Sequence, residues 1–109
     1  MKQDELPFSN IAHEFVGADH GDVGVCLILV DAPAGRGPRL HRHPYAEVFL
    51  VQDGEARFRT RDGERTVRAG ELVVVPAGTP HGFVSGDGGR LRMVSIQAAQ
   101  SFATEWLED

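Results

Sequence analysis

The feature of this sequence that most restricts its fold is a series of short apolar segments separated by turn signals. The clearest segments are "VGVCLILV" (23–30), "AEVFLVQ" (46–52), "EARFRT" (55–60), "ELVVVP" (71–76), "HGFVS" (81–85) and "RLRMVSIQA" (90–98). Asp53-Gly54 and Asp62-Gly63 favour tight hairpin turns between neighbouring segments. Short strands that recur about every 8–12 residues predict an all-β sandwich or barrel. The first segment is apolar throughout apart from glycine, which predicts a strand buried on both faces.

Composition limits the domain count and the class of partner. The chain has 109 residues, a usual length for one domain, so we expect a single domain over 1–109. Its 16 acidic residues outnumber 11 lysines and arginines. That balance disfavours nucleic acid and anionic membranes, which select a basic face. The single cysteine, Cys26, excludes an internal disulfide and lies among apolar residues, as an inert core thiol would. A polar start, "MKQDELPFSN", and the lack of an apolar run of about 20 residues predict a cytoplasmic protein.

The two ends of the chain carry weaker signals. Residues 1–22 have no clear period, but apolar side chains between 6 and 16 predict an arm that docks on a sheet edge or pairs with another subunit. In "QSFATEWLE" (100–108), Phe102 and Trp106 stand four residues apart. This spacing predicts a short C-terminal helical turn packed on the domain.

Candidate metal ligands are concentrated near predicted strand beginnings. His41 and His43 are two residues apart and share a face if the chain is extended there, and Glu47 opens the next strand. A carboxylate on an apolar strand is costly unless it is paired, and a metal ion would resolve that cost. His81 follows "PAGTP" at the start of another strand. Imidazole and carboxylate groups are suitable ligands for zinc, iron, manganese and nickel.

Nine residues in this part of the chain reproduce the spacing of a known family. They are Gly35, His41, His43, Glu47, Gly54, Gly70, Pro76, Gly78 and His81. "GRGPRLHRHPYAEVFLVQDG" (35–54) resembles the first signature motif of the cupins, and "GELVVVPAGTPH" (70–81) resembles the second, which we extend to residue 85. One position departs from the pattern, because Ser85 stands where the second motif usually has asparagine. The asparagine is not a usual metal ligand, so the departure does not affect the predicted ligand set.

The resemblance implies a fold and a cofactor. It implies a double-stranded β-helix, or jelly-roll barrel, in a small single-domain cupin. It also implies a divalent metal, Fe²⁺, Mn²⁺, Zn²⁺ or Ni²⁺, held by His41, His43, Glu47 and His81. The alternative is a cupin that kept these polar residues without a metal. Small cupins are commonly dimers, so the resemblance also implies a homodimer.

The implied ligand set allows several activities. Four protein ligands on an octahedral ion leave two positions for a small organic ligand, or for a substrate beside O₂ on Fe(II). An Fe(II)-type dioxygenase or related oxidoreductase is therefore the favoured function. A non-redox isomerase, cyclase or lyase that uses the ion as a Lewis acid is the first alternative. A non-catalytic module that binds a small molecule is the second.

Other residues are candidates for the pocket above the metal. Tyr45 lies between ligands and is a candidate for hydrogen bonding or proton transfer to a substrate, although loop packing explains it equally. Candidate apolar pocket residues are Phe49, Phe58, Phe83 and Met93, which any barrel core also needs. Gln97 is polar within an apolar strand, so it points either into the pocket or to a sheet edge. Arg90 and Arg92 are more consistent with an exposed strand face than with an anion site.

Overall fold

The computed structural model describes residues 1–108, which form eleven β-strands and two single-turn 3-10 helices. The strands are β1 (Phe8–Ser9), β2 (Ala12–Phe15), β3 (Cys26–Ala32), β4 (His41–Arg42), β5 (Glu47–Asp53), β6 (Glu55–Thr60), β7 (Gly63–Arg68), β8 (Leu72–Val75), β9 (Gly82–Ser85), β10 (Leu91–Gln97) and β11 (Glu105–Trp106). The helical turns are Gln3–Glu5 and Gly17–Asp19. Within residues 1–108 no helix is long and apolar enough to cross a membrane.

The strands are arranged in two main antiparallel sheets. A six-stranded sheet has the order β1-β2-β3-β10-β5-β8, and a three-stranded sheet has the order β7-β6-β9. A third pairing, β11 with β4, lies beside the site described below. Consecutive strands such as β5 and β6 lie in different sheets, so the chain passes repeatedly from one layer to the other. This architecture is the double-stranded β-helix that the resemblance to the cupins implied.

The core lies between the inner faces of the two main sheets. Phe49 of β5 packs its ring 4.9 Å from that of Phe58 in β6 and 5.8 Å from that of Phe83 in β9, measured between centroids. Val51 and Met93 of the large sheet are almost fully buried in the same cluster. The alternation of each strand therefore directs its larger apolar residues into one shared interior.

A glycine allows the close passage from β5 to β6. Gly54 has φ +78°, and a Cβ atom there would lie 2.3 Å from the carbonyl oxygen of Arg90. Only glycine avoids both the backbone strain and the contact. The hairpin predicted at Asp53-Gly54 is wrong, because β5 and β6 are not paired and lie in different sheets. The glycine instead forms the bend by which the chain passes from one sheet to the other.

The predicted helical turn at the C-terminus is wrong. Residues 105 and 106 form β11, and their partners in β4 are Arg42 and His41. Leu107 continues this pairing by donating from its backbone N–H to the carbonyl of Leu40 at 3.0 Å. Pairing with the exposed edge of β4 satisfies backbone groups that a single isolated helical turn would leave open, and this outweighs the i, i+4 pattern.

The outer face of the six-stranded sheet is apolar and partly exposed. Leu72, Val74 and Ile96 are 58, 67 and 41% exposed. Leu27 and Leu29 of β3 are also only partly buried, so the prediction that this strand is buried on both faces is wrong for the single chain. The prediction failed because an apolar outer face resembles a buried one in sequence.

Candidate metal centre

The proposed ligands lie at the ends of strands that meet at one opening of the barrel. His41 begins β4, Glu47 begins β5, and His81 directly precedes β9. The backbones of His41 and His81 exchange two hydrogen bonds, of 2.9 and 2.8 Å, which join the two motifs. Gly78 donates its backbone N–H to the carbonyl of His43 at 2.7 Å and adds a further connection. Residues that are far apart in sequence are thus held together by backbone pairing.

The four side chains converge on one point in the protein interior. One ligand atom from each of His41, His43, Glu47 and His81 lies within 4.8 Å of those of the others. Their exposed fractions are 6, 5, 2 and 1% in the same order. A buried cluster of three imidazoles and one carboxylate is a donor set that divalent transition metals accept.

Backbone carbonyls fix the tautomer of each histidine. The Nδ1 atoms of His41, His43 and His81 lie 2.7, 2.9 and 2.9 Å from the carbonyl oxygens of residues 39, 103 and 79. A carbonyl oxygen can only accept, so each Nδ1 carries the hydrogen and donates it. The Nε2 atom of each neutral ring therefore carries a lone pair that points to the centre of the cluster, as in a metal-bound histidine.

This arrangement fits a cation and is poorly satisfied without one. Oε1 of Glu47 lies 3.0 Å from Nε2 of His81 and 3.3 Å from Nε2 of His43. With the hydrogens on Nδ1, these contacts would place lone pairs against a carboxylate oxygen. Nε2 of His43 is buried and has no hydrogen-bond partner within residues 1–108. A metal ion among these atoms would satisfy all of them at once.

The second oxygen of Glu47 is held by two residues of β10. Ser95 donates from its hydroxyl to Oε2 of Glu47, and Gln97 donates from Nε2 to the same oxygen at 3.1 Å. Both side chains are about 1% exposed. The two donors leave Oε1 of Glu47 facing the histidines and fix its orientation. Ser95 was missed from the sequence, although its place two residues before Gln97 puts both on one face of a strand.

The local environment favours the metal-binding forms of Glu47 and His41, whereas without a metal it favours the protonated form of His43. Burial raises the pKa of Glu47, but the close His43 and His81 rings and the Ser95 hydroxyl outweigh it and lower that pKa to about 2. Burial lowers the pKa of His41 to about 4. Burial also lowers the pKa of His43, but the Glu47 contact and the Ala103 carbonyl more than offset it and raise that pKa overall. Carboxylate and neutral imidazole are the metal-binding forms of these groups.

A mostly apolar cavity of about 240 Å³ opens from this cluster. Of the five residues predicted for the pocket, Phe49 and Phe83 lie on its wall, beside the ligands. Phe58 and Met93 are buried in the core but do not line this cavity. Tyr45 also lies outside the wall. The cavity is smaller than the roughly 300–1,000 Å³ common for drug-sized ligands, so it suits a small organic molecule.

Tyr45 instead contacts the metal cluster and its hydrogen-bond partners from outside the cavity. Its hydroxyl donates to Oε1 of Gln97 and accepts from the backbone N–H of Ala103 at 3.1 Å. Its ring stacks on His43 with the centroids 5.1 Å apart. Tyr45 therefore connects Glu47, through Gln97, with the backbone segment that orients His43.

Of the three remaining polar candidates, Gln97 lies at the cavity, whereas Arg90 and Arg92 lie on the surface. Gln97 lies on the pocket wall and not at a sheet edge, because β10 is paired on both sides by β3 and β5. Arg90 is exposed and donates to Asp31 at 2.8 Å. Arg92 is exposed as well, and neither arginine lines the cavity.

The C-terminal segment completes the wall of the cavity. Trp106 lies 5.1 Å from His41 between ring centroids, and the guanidinium of Arg39 lies 4.5 Å from the Trp106 ring. Phe102, Thr104 and Trp106 all line the pocket. The tail also supplies the Ala103 carbonyl that orients His43. The sequence did not reveal this role, since it depends on the pairing of β11 with β4.

Comparisons with known proteins agree with this fold. A family model described as a cupin domain, Cupin_2, matches residues 28–97. No curated protein sequence matches the chain. A cupin-like protein from Thermotoga maritima has a TM-score of 0.78 at 21% identity, over 90% of this chain and 75% of that one.

Two further similar structures are enzymes with oxalate in their names. Bacillus subtilis oxalate decarboxylase, studied for its Mn(II) centres, gives a TM-score of 0.76 at 21% identity over 92% of this chain. Oxalate oxidase gives 0.75 at 26% identity over 88% of this chain. The chain spans only 29% and 54% of those two proteins. Below 25% identity the likeness concerns the fold alone.

Proposed function

Since this chain belongs to the cupin domain family, we propose that it is a metalloenzyme that acts on a small organic molecule. The observation that carries the proposal is the convergence of three histidines and Glu47 on one point at the wall of a small apolar cavity. A site that only stabilised the fold would not need a cavity beside it. A metalloenzyme needs both an ion and space for substrate.

The activity that we favour is Fe(II)-dependent oxidation of the dioxygenase type. Four protein ligands on a six-coordinate ion leave two positions, and a bound Fe(II) would supply O₂ chemistry there. The chain itself supplies neutral Nε2 donors and a carboxylate whose second oxygen is anchored by Ser95 and Gln97. The apolar wall, including Phe49 and Phe83, would bind the substrate and exclude water from the reacting atoms.

The similar structures support a redox-capable divalent ion but leave its identity open. Oxalate decarboxylase is named with Mn(II) centres, and oxalate oxidase is an oxidase by name. Manganese and iron accept the same imidazole and carboxylate donors, so either would suit His41, His43, Glu47 and His81. Metal identity therefore has to come from analysis of the protein itself.

The first test is elemental analysis of protein purified without added metal. We expect about one transition metal ion per chain, and His43→Ala should abolish stoichiometric binding. His13→Ala is the matched control, because His13 packs against Phe8 at the sheet edge and not in the cluster. Unchanged metal content in His43→Ala, or equal loss in both variants, would refute the ligand assignment.

The second test separates the classes of activity. Protein reconstituted anaerobically with Fe(II) should consume O₂ when a panel of small organic substrates is supplied. Turnover with Zn(II) or Mn(II) and without O₂ consumption would instead identify a non-redox isomerase, cyclase or lyase. Saturable ligand binding with no turnover under either condition would identify a binding module.

We also propose that the protein is a homodimer in which the apolar outer face of the six-stranded sheet is covered by a second copy. Leu72, Val74 and Ile96 share the outer face formed by β8, β5 and β10, and a contiguous exposed apolar face is typical of an interaction surface. Light scattering should give twice 11.9 kDa. Leu72→Asp with Val74→Asp should shift the mass to the monomer value, and a wild-type mass of 11.9 kDa would refute the proposal. Cytoplasmic localisation stays a prediction from the sequence.

A further inference from the structure

One carboxylate lines the metal cavity without belonging to the ligand cluster. Ala12 and Glu14 alternate on β2 with His13 and Phe15, and both Ala12 and Glu14 lie on the cavity wall. Ala12 is buried in the core, which identifies this as the inner face of the strand. Glu14 pairs in register with Ile28, another wall residue. The register places the Glu14 side chain on the cavity side of the sheet.

Glu14 has no partner of its own within residues 1–108. Its backbone N–H bonds to the carbonyl of Pro7, but its carboxylate makes no hydrogen bond or ion pair with the described residues. The residue is only partly buried, which keeps an unpaired carboxylate tolerable at this position. A partly buried acid with open acceptor sites beside a cavity is available to a ligand.

The cavity is also without basic side chains. Among residues 1–108, those on its wall include no lysine or arginine, and the charged or titratable ones are Glu14, Glu47, His41 and His43. Glu47 and the histidines belong to the metal cluster. By formal count, a divalent ion balances Glu47 and Glu14 together, so the pocket as a whole is neutral. A dianionic ligand would leave excess negative charge here.

Position on the sheet separates Glu14 from the metal cluster. Glu14, Ile28, Ser95 and Phe49 form one cross-strand row through β2, β3, β10 and β5. Three strand spacings put the Cα atoms of Glu14 and Phe49 at most about 14 Å apart. The side chain of Glu14 and those of the metal cluster both point into the barrel. The distance left between the Glu14 carboxylate and the cluster is therefore about the length of a small molecule. Ile28, Val30 and Phe83 make the wall between them apolar.

We propose that Glu14 selects the ligand of this pocket, and that the ligand chelates the metal at one end and carries a positively charged nitrogen at the other. The proposal rests on the metal-dependent function proposed above and adds the chemical class of the substrate. A short apolar segment would join the two ends. Small dicarboxylates, which lack the cation and bring a second negative charge, are disfavoured.

Calorimetric titration of the Zn(II)-loaded protein under argon tests this directly. Three catechols serve as probes because they share one chelating head and differ in the charge of the tail. They are dopamine with a cationic tail, 4-ethylcatechol with a neutral tail and 3,4-dihydroxyphenylacetate with an anionic tail. We expect dopamine to bind more tightly than 4-ethylcatechol by roughly 1.5- to 5-fold, the range for a partly exposed ion pair, and the anionic probe to bind more weakly than 4-ethylcatechol because its charge repels Glu14.

Variants at position 14 assign the preference to this side chain. Glu14→Gln should bring the three affinities within about twofold of one another, and Glu14→Lys should reverse the order. Glu64→Gln is the control, since it removes the same charge from an exposed position on β7 and should leave the order unchanged. An order that is absent in wild type, or that survives Glu14→Gln, would overturn the proposal.

Other outcomes separate this proposal from the one on which it rests. If metal analysis finds no bound ion, the proposed function fails and the ligand class fails with it. If one ion is bound and none of the catechols binds, the ligand class is refuted. The oxygen-uptake screen then still tests the metalloenzyme independently.

Discussion

Replacing Tyr45 by phenylalanine tests whether this residue holds the metal site together or acts on the substrate. The change removes one hydroxyl and keeps the ring that stacks on His43. The hydrogen bonds to Oε1 of Gln97 and from the N–H of Ala103 are lost, together with a longer contact of 3.4 Å to Nδ1 of His43. The Ala103 end is exposed and can be satisfied by water, but Gln97 is about 1% exposed.

The magnitude follows from that difference in burial. A buried acceptor left without its donor costs about 1–3 kcal/mol. Some of this cost reaches the metal, because the Gln97 amide is one of two donors that hold Oε2 of Glu47. Loss of a residue that orients a ligand typically weakens metal binding about 10- to 100-fold. We therefore expect Tyr45→Phe to weaken Zn(II) binding by about 10-fold and to lower the free energy of unfolding by about 1–2 kcal/mol.

Competition against a chromophoric chelator gives the Zn(II) affinity, and urea unfolding gives the stability. Gln97→Met and the double variant complete a cycle. If Tyr45 acts through Gln97, the two substitutions should be clearly non-additive in metal affinity. Additive effects, or a Tyr45→Phe affinity within twofold of wild type, would refute the supporting role. Loss of turnover with unchanged metal affinity would instead favour proton transfer by Tyr45.

Three further predictions concern separate features of the structure. Ser95→Ala should weaken Zn(II) binding about 10-fold in the same competition assay, because Oε2 of Glu47 loses a buried donor. In metal-free protein, the unfolded chain protonates His41 near pH 6.5 but the folded chain does so only near 4. The urea midpoint should therefore fall as pH drops through this window, with a shallower slope in His41→Gln. Gly54→Ala should lower the free energy of unfolding by at least about 2 kcal/mol in urea, because of its positive φ and the Arg90 carbonyl.

The ligand set was accessible from the sequence because its members lie in two short local patterns. His41, His43 and Glu47 are close together in one motif, and His81 ends the other. Short strands and turn signals predicted an all-β sandwich or barrel, and the resemblance to the cupins implied that the four ligands meet in the barrel mouth. What spacing does not show is the orientation of each ring. That depends on carbonyls of residues 39, 79 and 103, which no residue type reveals.

The C-terminal tail shows why a local pattern can mislead. Phe102 and Trp106 have helical spacing, and an isolated segment with that spacing favours a turn of helix. In the folded chain the edge of β4 offers backbone partners to residues 105–107. Pairing there also puts Trp106 against His41. The tertiary partner decides the conformation, and the partner is more than sixty residues away in sequence.

The same reasoning explains why Glu14 could not be recognised in advance, and why it matters for specificity. It lies in a segment without a clear period, so nothing local distinguishes it from a solvated acid. Only the pairing of β2 with β3 turns it toward the cavity. The four predicted metal ligands belong to the two family motifs, and they determine which chemistry is open to a bound ion. The choice of substrate then falls to wall residues such as Glu14, whose position follows from long-range register. Under the proposal above, a cupin with the same four ligands would differ in substrate through one carboxylate on β2.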